Sequence, residues 1–446
     1  MFDLVGASKI LKQIYSDQEI VFKLTEYDPF LREIDRQTDY GGDSFNFANV
    51  FANTQGASGD FATAMGGNGG MTQYARFKMD KLSKMYHTAR WDREAMLRAA
   101  KKRDAFVIAL QSEVDSCLEQ MRNKLETEVW GNGGGALCQL SSDVAKNTPT
   151  LLATAGGAAF LADKTQIINL QVNMPIEIAA TDGTTGAIRT VATAAFVKSL
   201  NYDLATVAIK DVNGNDLAWI DTPYSAGPPV VPAVPGLSAA TAAGDFLFQT
   251  GDFRAVMSRI PGVLGWIPLA DPAPGSDWFG VDRSVDRVKL AGSVVDVGSS
   301  SMQEGLIGAM AQAHMLGAAG QDRLYINALR FADLAVEMYG YNQAGAGVRR
   351  GEGDKDQMIG FQGITLMGAR GAVKVYPAPR VPRDFGLLTK IADWHLLSCG
   401  NVPEIIKEDG LIMRRSTTSD GYIEQFGWLA TMYTDNPRNS CLLHFA

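Results

Sequence analysis

Histidine and cysteine are scarce in this chain, with four of each among 446 residues. The cysteines, Cys117, Cys138, Cys399 and Cys441, form no CxxC pair, a pattern of buried thiols in a reducing compartment rather than a disulfide framework. No GxSxG elbow, GxxxxGK[ST] loop, HExxH pair or strand-borne GxGxxG is present. No stretch of 18 residues is continuously apolar, so no membrane-spanning helix is expected. The first residues, "MFDLVGASKILKQIYSDQE", lack a basic start leading into an apolar run; no signal peptide is expected, and synthesis is expected in the cytoplasm. An excess of positive charge is lacking too. The net charge is −8, which argues against a tight grip on nucleic acid or on an anionic membrane.

Three short constellations approach known chemistry. "GAGVRRG" at 345–351 lacks dinucleotide-loop spacing and reads as a flexible loop. "DVNGND" at 211–216 opens like a calcium loop, but Asp216 stands where glycine is needed and Thr222 where glutamate is needed, so a hairpin turn fits better. "HLLSC" (His395, Cys399) and "CLLH" (Cys441, His444) together offer two cysteines and two histidines, a zinc-like set. Both pairs lie in apolar, strand-like sequence, where side chains three apart point to opposite faces. No catalytic residue, metal ligand or cofactor-binding residue is assigned, and no pair of carboxylates stands out for acid–base work.

What is present is 46% hydrophobic and 20% charged, ordinary for a folded protein with a sizeable core, and long enough for two or three domains. Residues 41–70 hold eight glycines and only two charges, Asp43 and Asp60. Such a segment loses much backbone entropy on ordering and buries little in return. It is flanked by alternating segments, "DSFNFANVF" and "TQYARFKM", which predict a long two-stranded hairpin. Two strands alone are marginal in water, so the hairpin needs a partner surface.

A long helix is predicted from about Ala89 to Trp130. Val107, Leu110, Val114, Cys117, Leu118, Met121, Leu125 and Val129 recur at steps of three and four, and "GNGGG" ends it. Its first half carries Arg90, Arg93, Arg98, Lys101, Lys102 and Arg103, where the helix dipole disfavours cations. Those charges read either as a solvated face or as a surface for acidic neighbours or phosphate. Between 161 and 254 short β-like runs, "QIINLQV", "PIEIAAT", "TVATAAFVKSL", "LATVAIKDV" and "DLAWID", alternate with turn signals at Asp182-Gly183 and Asn213-Gly214. They predict an inserted small β-barrel or sandwich, with a stiff loop at "SAGPPVVPAVPG". Beyond it, "SMQEGLIGAMAQAHMLG" predicts a helix and "DRLYINALRFADLAVEMYG" a strand followed by a helix. "GITLMGARGAVKVYPAP" and the C-terminal segment predict further strands, giving α+β overall.

The order of these parts resembles the major capsid protein of tailed bacteriophages, the Hong Kong 97-type shell fold. The stretches that carry the resemblance are "LTEYDPFLREIDRQTDYGGDSF", "GDFATAM", "FKMDKLSKMYHTARWDREAM", "WGNGGG", "VDRSVDRVKLAG" and "ADWHLLSCGNVPEIIKEDG". It covers nearly the whole chain. It implies an N-terminal arm (1–37), an extended loop (38–86), a peripheral domain with a spine helix (87–160) and the inserted β domain (161–254). An axial domain with adjoining segments (255–390) and closing strands (391–446) complete it. It also implies a structural protein, not an enzyme, that self-assembles into hexamers and pentamers of an icosahedral virion shell around double-stranded DNA. In that family the extended loop lies across a neighbouring subunit, which places Phe45, Phe47, Gly56, Gly59, Phe61, Met65, Tyr74 and Phe77 as inter-subunit contacts. Implied partners are other copies of the chain, a separate scaffold protein, a portal, cement or decoration proteins, and packaged DNA by weak contact; no cofactor and no membrane is implied. An encapsulin-type compartment has the same fold and holds protein cargo, and an unrelated cytosolic enzyme is the remaining alternative. Covalent lysine–asparagine linkage occurs in the type member, but no matching pair carries over here. The inserted domain is expected to be removable, its host closing over a linker in place of residues 163–250.

Overall fold

The structure, a computed structural model, describes residues 28–445 except 39, 67–69, 81, 95–102, 141–150, 153–163, 190–193, 203–205, 218–243, 255–256, 299–300, 344–363, 369–370, 408–411 and 417–419. The proline-rich run and the loop at 345–351 lie outside these residues.

One long strand, Gly421–Thr434, organises the first sheet. Ser83–Asp92 pairs antiparallel with its first ten residues, from Asp92 opposite Gly421 to Ser83 opposite Ala430. Trp394–Ser398 pairs with its last five, and Asp35–Gln37 joins that strand in parallel. The alternation of Ser83, Met85, Ala89 and Trp91 as buried residues gives the sheet an apolar face. Against it lies the helix Arg103–Trp130. Val114, Cys117, Leu118, Met121, Leu125 and Val129 are buried, so the predicted stripe is the packed face over its described length. The side chains of Arg103, Val107 and Leu110, and all of Arg98, Lys101 and Lys102, fall outside the described residues.

The start of this helix is a correction. Residues 83–92, expected to lead into it from Ala89, form a strand. "SKMYHTARW" has buried residues at period two, and its partner strand lies more than 300 residues away in sequence. A distant partner overrides a local helical reading.

The second sheet runs in the order Ser293–Asp296, Cys441–His444, Phe385–Thr389, Arg323–Asn327, Gly371–Ala378, Ile364–Gly368. Helices Met302–Met315 and Ala328–Gln343 cover one face, enclosing Leu324, Ile326, Leu388 and Leu443. Tyr325, Leu387 and Leu442 point the other way, into the core of the first sheet. Both faces are covered, so these strands read as near-continuous apolar runs in sequence. The strand-then-helix reading of 322–340 holds, with the helix starting at Ala328.

The third sheet contains Pro175–Ala179, Ala195–Asn201, Thr206–Lys210, Asp216–Leu217 and Phe246–Gln249. It also takes in Cys138–Leu140 and Leu151–Leu152, so it reaches back further than residue 161. "QIINLQV" is not a strand: Lys164–Asn169 is a 3-10 helix. Its carbonyl at Ile168 and the Asn169 side chain accept from Arg380 (2.7 and 2.9 Å), and Asn169 Nδ2 donates to Leu137 O at 3.0 Å, bonds a ladder would not leave free. The two turn signals work as predicted, Gly183 and Gly214 having φ of 91° and 89°. Gly183 and Gly134 touch backbone to backbone, and a Cβ on Gly134 would collide with the Asp182 carbonyl.

A single short element joins the first two sheets and the long helix. In Pro29–Glu33, Asp28 caps the helix by accepting from Phe30 N at 2.8 Å, and its other oxygen accepts from Trp130 Nε1 at 3.3 Å. Phe30 is fully buried, with its ring 5.2 Å from Trp130, 5.2 Å from Tyr325 and 5.7 Å from Trp394. Phe30→Ala is expected to cost about 3–5 kcal/mol in chemical denaturation, with Arg90→Ala, on an exposed strand position, within about 0.5 kcal/mol of wild type.

The sheet register also moves the expected excision. Leu137 N donates to Leu247 O at 2.8 Å, so the ends of the inserted sheet are adjacent at 137 and 247, and a cut at 163–250 would strip Cys138–Leu140 of its partner Phe246–Gln249, leaving it only Leu151–Leu152. Replacement of residues 138–247 by a short Gly/Ser linker is expected to leave a cooperative thermal melt, whereas the 163–250 replacement should melt lower. The reverse order would show that the sheet is not one unit.

Candidate assembly surface

The hairpin strands Phe45–Ala52 and Gln73–Met79 pair from Phe45 opposite Met79 to Ala52 opposite Gln73. Their inward residues belong to the chain's own core. Phe47 stacks on Phe77 with centroids 5.0 Å apart, Phe77 meets Trp266 at 5.4 Å, and Phe45 meets Tyr433 at 4.9 Å. Lys78 N donates to Phe279 O (2.8 Å), Asn49 Nδ2 to Lys289 O (3.1 Å), and Lys289 Nζ back to Phe51 O (2.7 Å). Phe77 is fully buried here. Three of the expected inter-subunit contacts, Phe45, Phe47 and Phe77, therefore root the hairpin in the chain's own core.

The tip differs in kind. From Asn53 to Met71 every described residue is exposed. It contains a formed helix, Phe61–Met65, whose N-cap Asp60 accepts from Thr63 N (2.8 Å) and Thr63 Oγ1 (2.7 Å). Those bonds hold the Asp60 carboxyl below its ordinary range. Phe61, Met65, Met71 and Tyr74 are 62% to 87% exposed, and Gly56 and Gly59 have nothing within 4 Å of a Cβ position. Large apolar side chains left exposed on this segment make it a candidate contact surface. Met71 was missed from sequence; its place one step beyond the alternating strand was the available signal.

The cationic residues expected to crowd one helix end are dispersed where they are described. Arg90 is exposed on the strand Ser83–Asp92, and Arg93 pairs with Asp420 at 3.5 Å, both partners half-exposed. Of the two histidine–cysteine pairs, His395 and Cys399 sit at the first sheet and Cys441 and His444 in the second. His395 bonds Asp35 and Asp435, His444 bonds Asp296, and among the described residues no group of three or more ligating side chains could hold a metal ion. "DVNGND" is a hairpin turn, with Asp211 Oδ1 accepting from Asn213 N (2.9 Å) and Asn215 N (2.7 Å).

Behind the long helix lies a group that sequence did not single out. Cys117 Sγ is 2.9 Å from His87 Nδ1, and His87 Nε2 is 2.7 Å from Gln120 Oε1. Burial, with Glu424 and Glu113 nearby, pushes the Cys117 thiol up to about 12, so it is no thiolate nucleophile at neutral pH. Glu424, opposite Ala89 in the sheet and 1% exposed, is pushed up to about 8 by burial alone.

No family model matches this chain, and no curated protein matches it in sequence. Solved structures that it is similar to are capsid or particle chains. A chain of the cyanophage A-1(L) capsid asymmetric unit is 9% identical with a TM-score of 0.48, covering 94% of this chain and 92% of that one. A chain of the satellite phage P4 procapsid that includes the size determination protein is 8% identical, with a TM-score of 0.39 and coverage of 97% and 91%. A chain of the virus-like particle from Pyrococcus furiosus is 7% identical, with a TM-score of 0.35 and coverage of 96% and 96%.

Glu424 makes stability depend on pH with a definite sign. The folded chain keeps a proton that the unfolded chain releases above its ordinary value of 4.5, so this contribution declines as pH rises toward about 8 and then levels off. Glu424→Gln, which mimics the protonated form, is expected to gain on wild type by up to about 4 kcal/mol between about pH 5 and 8 in denaturant midpoints. Parallel pH profiles for the two proteins would contradict the burial.

Proposed function

We propose that this chain is a major capsid protein of the Hong Kong 97 type, whose copies assemble through the hairpin tip into a closed icosahedral shell. The observation that carries this reading is the division of the hairpin: its root is anchored in its own core, while its described tip residues carry a formed helix with Phe61 and Met65 uncovered. An element so divided is formed before it meets its target, so little ordering entropy remains to oppose docking. At about 25 cal/mol per Å² of apolar surface covered, each tip contributes a modest term. Closed shells build stability by repeating such contacts, and weak single contacts let misplaced subunits leave. Glycines on both sides of Phe61–Met65 let the tip approach a neighbour at the slightly different angles that hexamers and pentamers impose.

The rest of the reading follows from that assembly. The helix Arg103–Trp130 and the sheet beneath it form the peripheral part of the subunit, and the sheet flanked by Met302–Met315 and Ala328–Gln343 forms the axial part around the five- and six-fold centres. The acidic balance of the chain suits a shell that encloses double-stranded DNA without holding it. A scaffold, a portal and decoration proteins would act on the assembled lattice, in a virion built in the cytoplasm of a bacterial host.

Electron microscopy and sedimentation of the purified chain test this directly. Megadalton closed particles are expected, and nucleic acid inside virions distinguishes a capsid from a compartment shell holding protein cargo. Deleting Gly56–Gly70 should leave a monomer with a near-wild-type melt that forms few particles. Wild-type particle yield from that deletion, or only small compact oligomers from the intact chain, would overturn the proposal.

A further inference from the structure

His395 stands where the N-terminal strand meets the first sheet. Asp35–Gln37 runs parallel to Trp394–Ser398 with Asp35 in register with His395, and it is three residues long with one ladder neighbour. A strand this short is weakly held by its backbone alone. Its side chains converge on the imidazole. His395 Nδ1 is 2.9 Å from Asp35 Oδ2, and Nε2 is 2.9 Å from Asp435 Oδ2. Gln37 Nε2 is 3.3 Å from the same Nδ1, and Gln37 Oε1 accepts from Tyr433 OH at 3.0 Å. The imidazole lies flat on the Tyr433 ring, centroids 4.9 Å apart, and Phe45 at the hairpin root contacts that same ring.

The charged and titratable groups facing His395 are thus Asp35 from the arm, Asp435 from the end of the long strand, and Tyr433. Gln37 is the one neutral amide among them. Only an imidazolium donates from both nitrogens, so both carboxylates are satisfied together only in the protonated form. When the proton leaves, one nitrogen becomes an acceptor. With Nε2–H kept toward Asp435, Nδ1 turns its lone pair toward Asp35 and can instead accept from Gln37.

We propose that His395 is a proton-operated latch on the strand Asp35–Gln37: protonated, it ties Asp35 to the sheet, and deprotonated, it releases Asp35 and leaves that strand on Gln37 and its backbone bonds, beyond the anchored Phe30. Burial opposes the charge on His395, but the bonds to Asp435 and Asp35 outweigh it and hold the group above its ordinary value. The same bond holds Asp35 below the carboxylate range. The contribution is therefore complete in mild acid and is lost as pH rises through the elevated value. Because Tyr433 carries both the imidazole and Phe45, the proton is read at the point where the arm turns into the hairpin.

Hydrogen exchange of the full chain, expressed as protection factors corrected for the intrinsic effect of pH, tests the latch. Between about pH 6 and 9, protection of the segment 35–40 is expected to fall about three- to fivefold, the reach of one part-exposed ion pair, while Cys441–His444 stays constant. Asp35→Asn, which leaves the His395–Asp435 bond in place, should abolish most of that change, as should His395→Gln. Constant protection in the wild type, or an undiminished pH response in Asp35→Asn, would overturn the proposal.

Discussion

The Phe30 ring is the contact on which the arrangement of the subunit depends. Trp130 at the end of the long helix, Tyr325 from the second sheet and Trp394 from the first all converge on it. Each comes from a different part of the chain, and none is adjacent to another in sequence. Removing the ring would leave three large aromatic groups around a void, a site that collapses poorly. Asp28 and Glu33 fix its position: the first caps the helix carrying it, and the second accepts from Arg323 Nε at 2.6 Å and Tyr325 OH at 3.1 Å. A segment that reads as a peripheral arm therefore supplies the central contact of the core.

The hairpin obeys a related logic. Stacked aromatic rings and three hydrogen bonds, from Lys78 N, Asn49 and Lys289, commit its root to the chain's own core and set its direction. The tip makes no such commitment. The hairpin thus has a root fixed by packing and exposed apolar side chains beyond it.

Buried charge ties the long helix to the segments that follow the inserted sheet. Lys124 and Arg259 both meet Asp252, Arg259 approaches Glu128 at 3.8 Å, and Arg380 approaches Glu126 at 3.6 Å. Burial pushes Glu126 up to about 7, Asp28 nearby adding to this against the pull of Arg380 and Arg122. Buried ion networks add little net stability, but they tolerate few alternative arrangements, because a displaced member leaves a charge unpaired. The inserted sheet is held to the rest by the backbone contact of Gly134 and Gly183, by Asn132 Nδ2 donating to Asp182 at 2.8 Å, and by Arg380 donating to Ile168 O and Asn169 Oδ1.

The sequence by itself determined the features that rest on local periodicity and turn chemistry. These include the buried stripe from Val114 to Val129, the hairpin alternation of Phe45, Phe47, Ala75, Phe77 and Met79, the glycine turns at 183 and 214, and the helix at 302–315. It also marked the glycine-rich tip as a segment in need of a partner, since composition alone reports that little can be buried there. Only the tertiary structure decided that residues 83–92 are a strand, because their partner lies at 421–430. Likewise it decided that Cys138–Leu140 belongs to the inserted sheet, and that Phe45, Phe47 and Phe77 of the hairpin face inward while Phe61, Met65, Met71 and Tyr74 face out. The reason is the same in each case. Periodicity shows that a residue has an apolar side, but which surface covers that side is fixed by long-range pairing, and no short stretch of sequence carries that information.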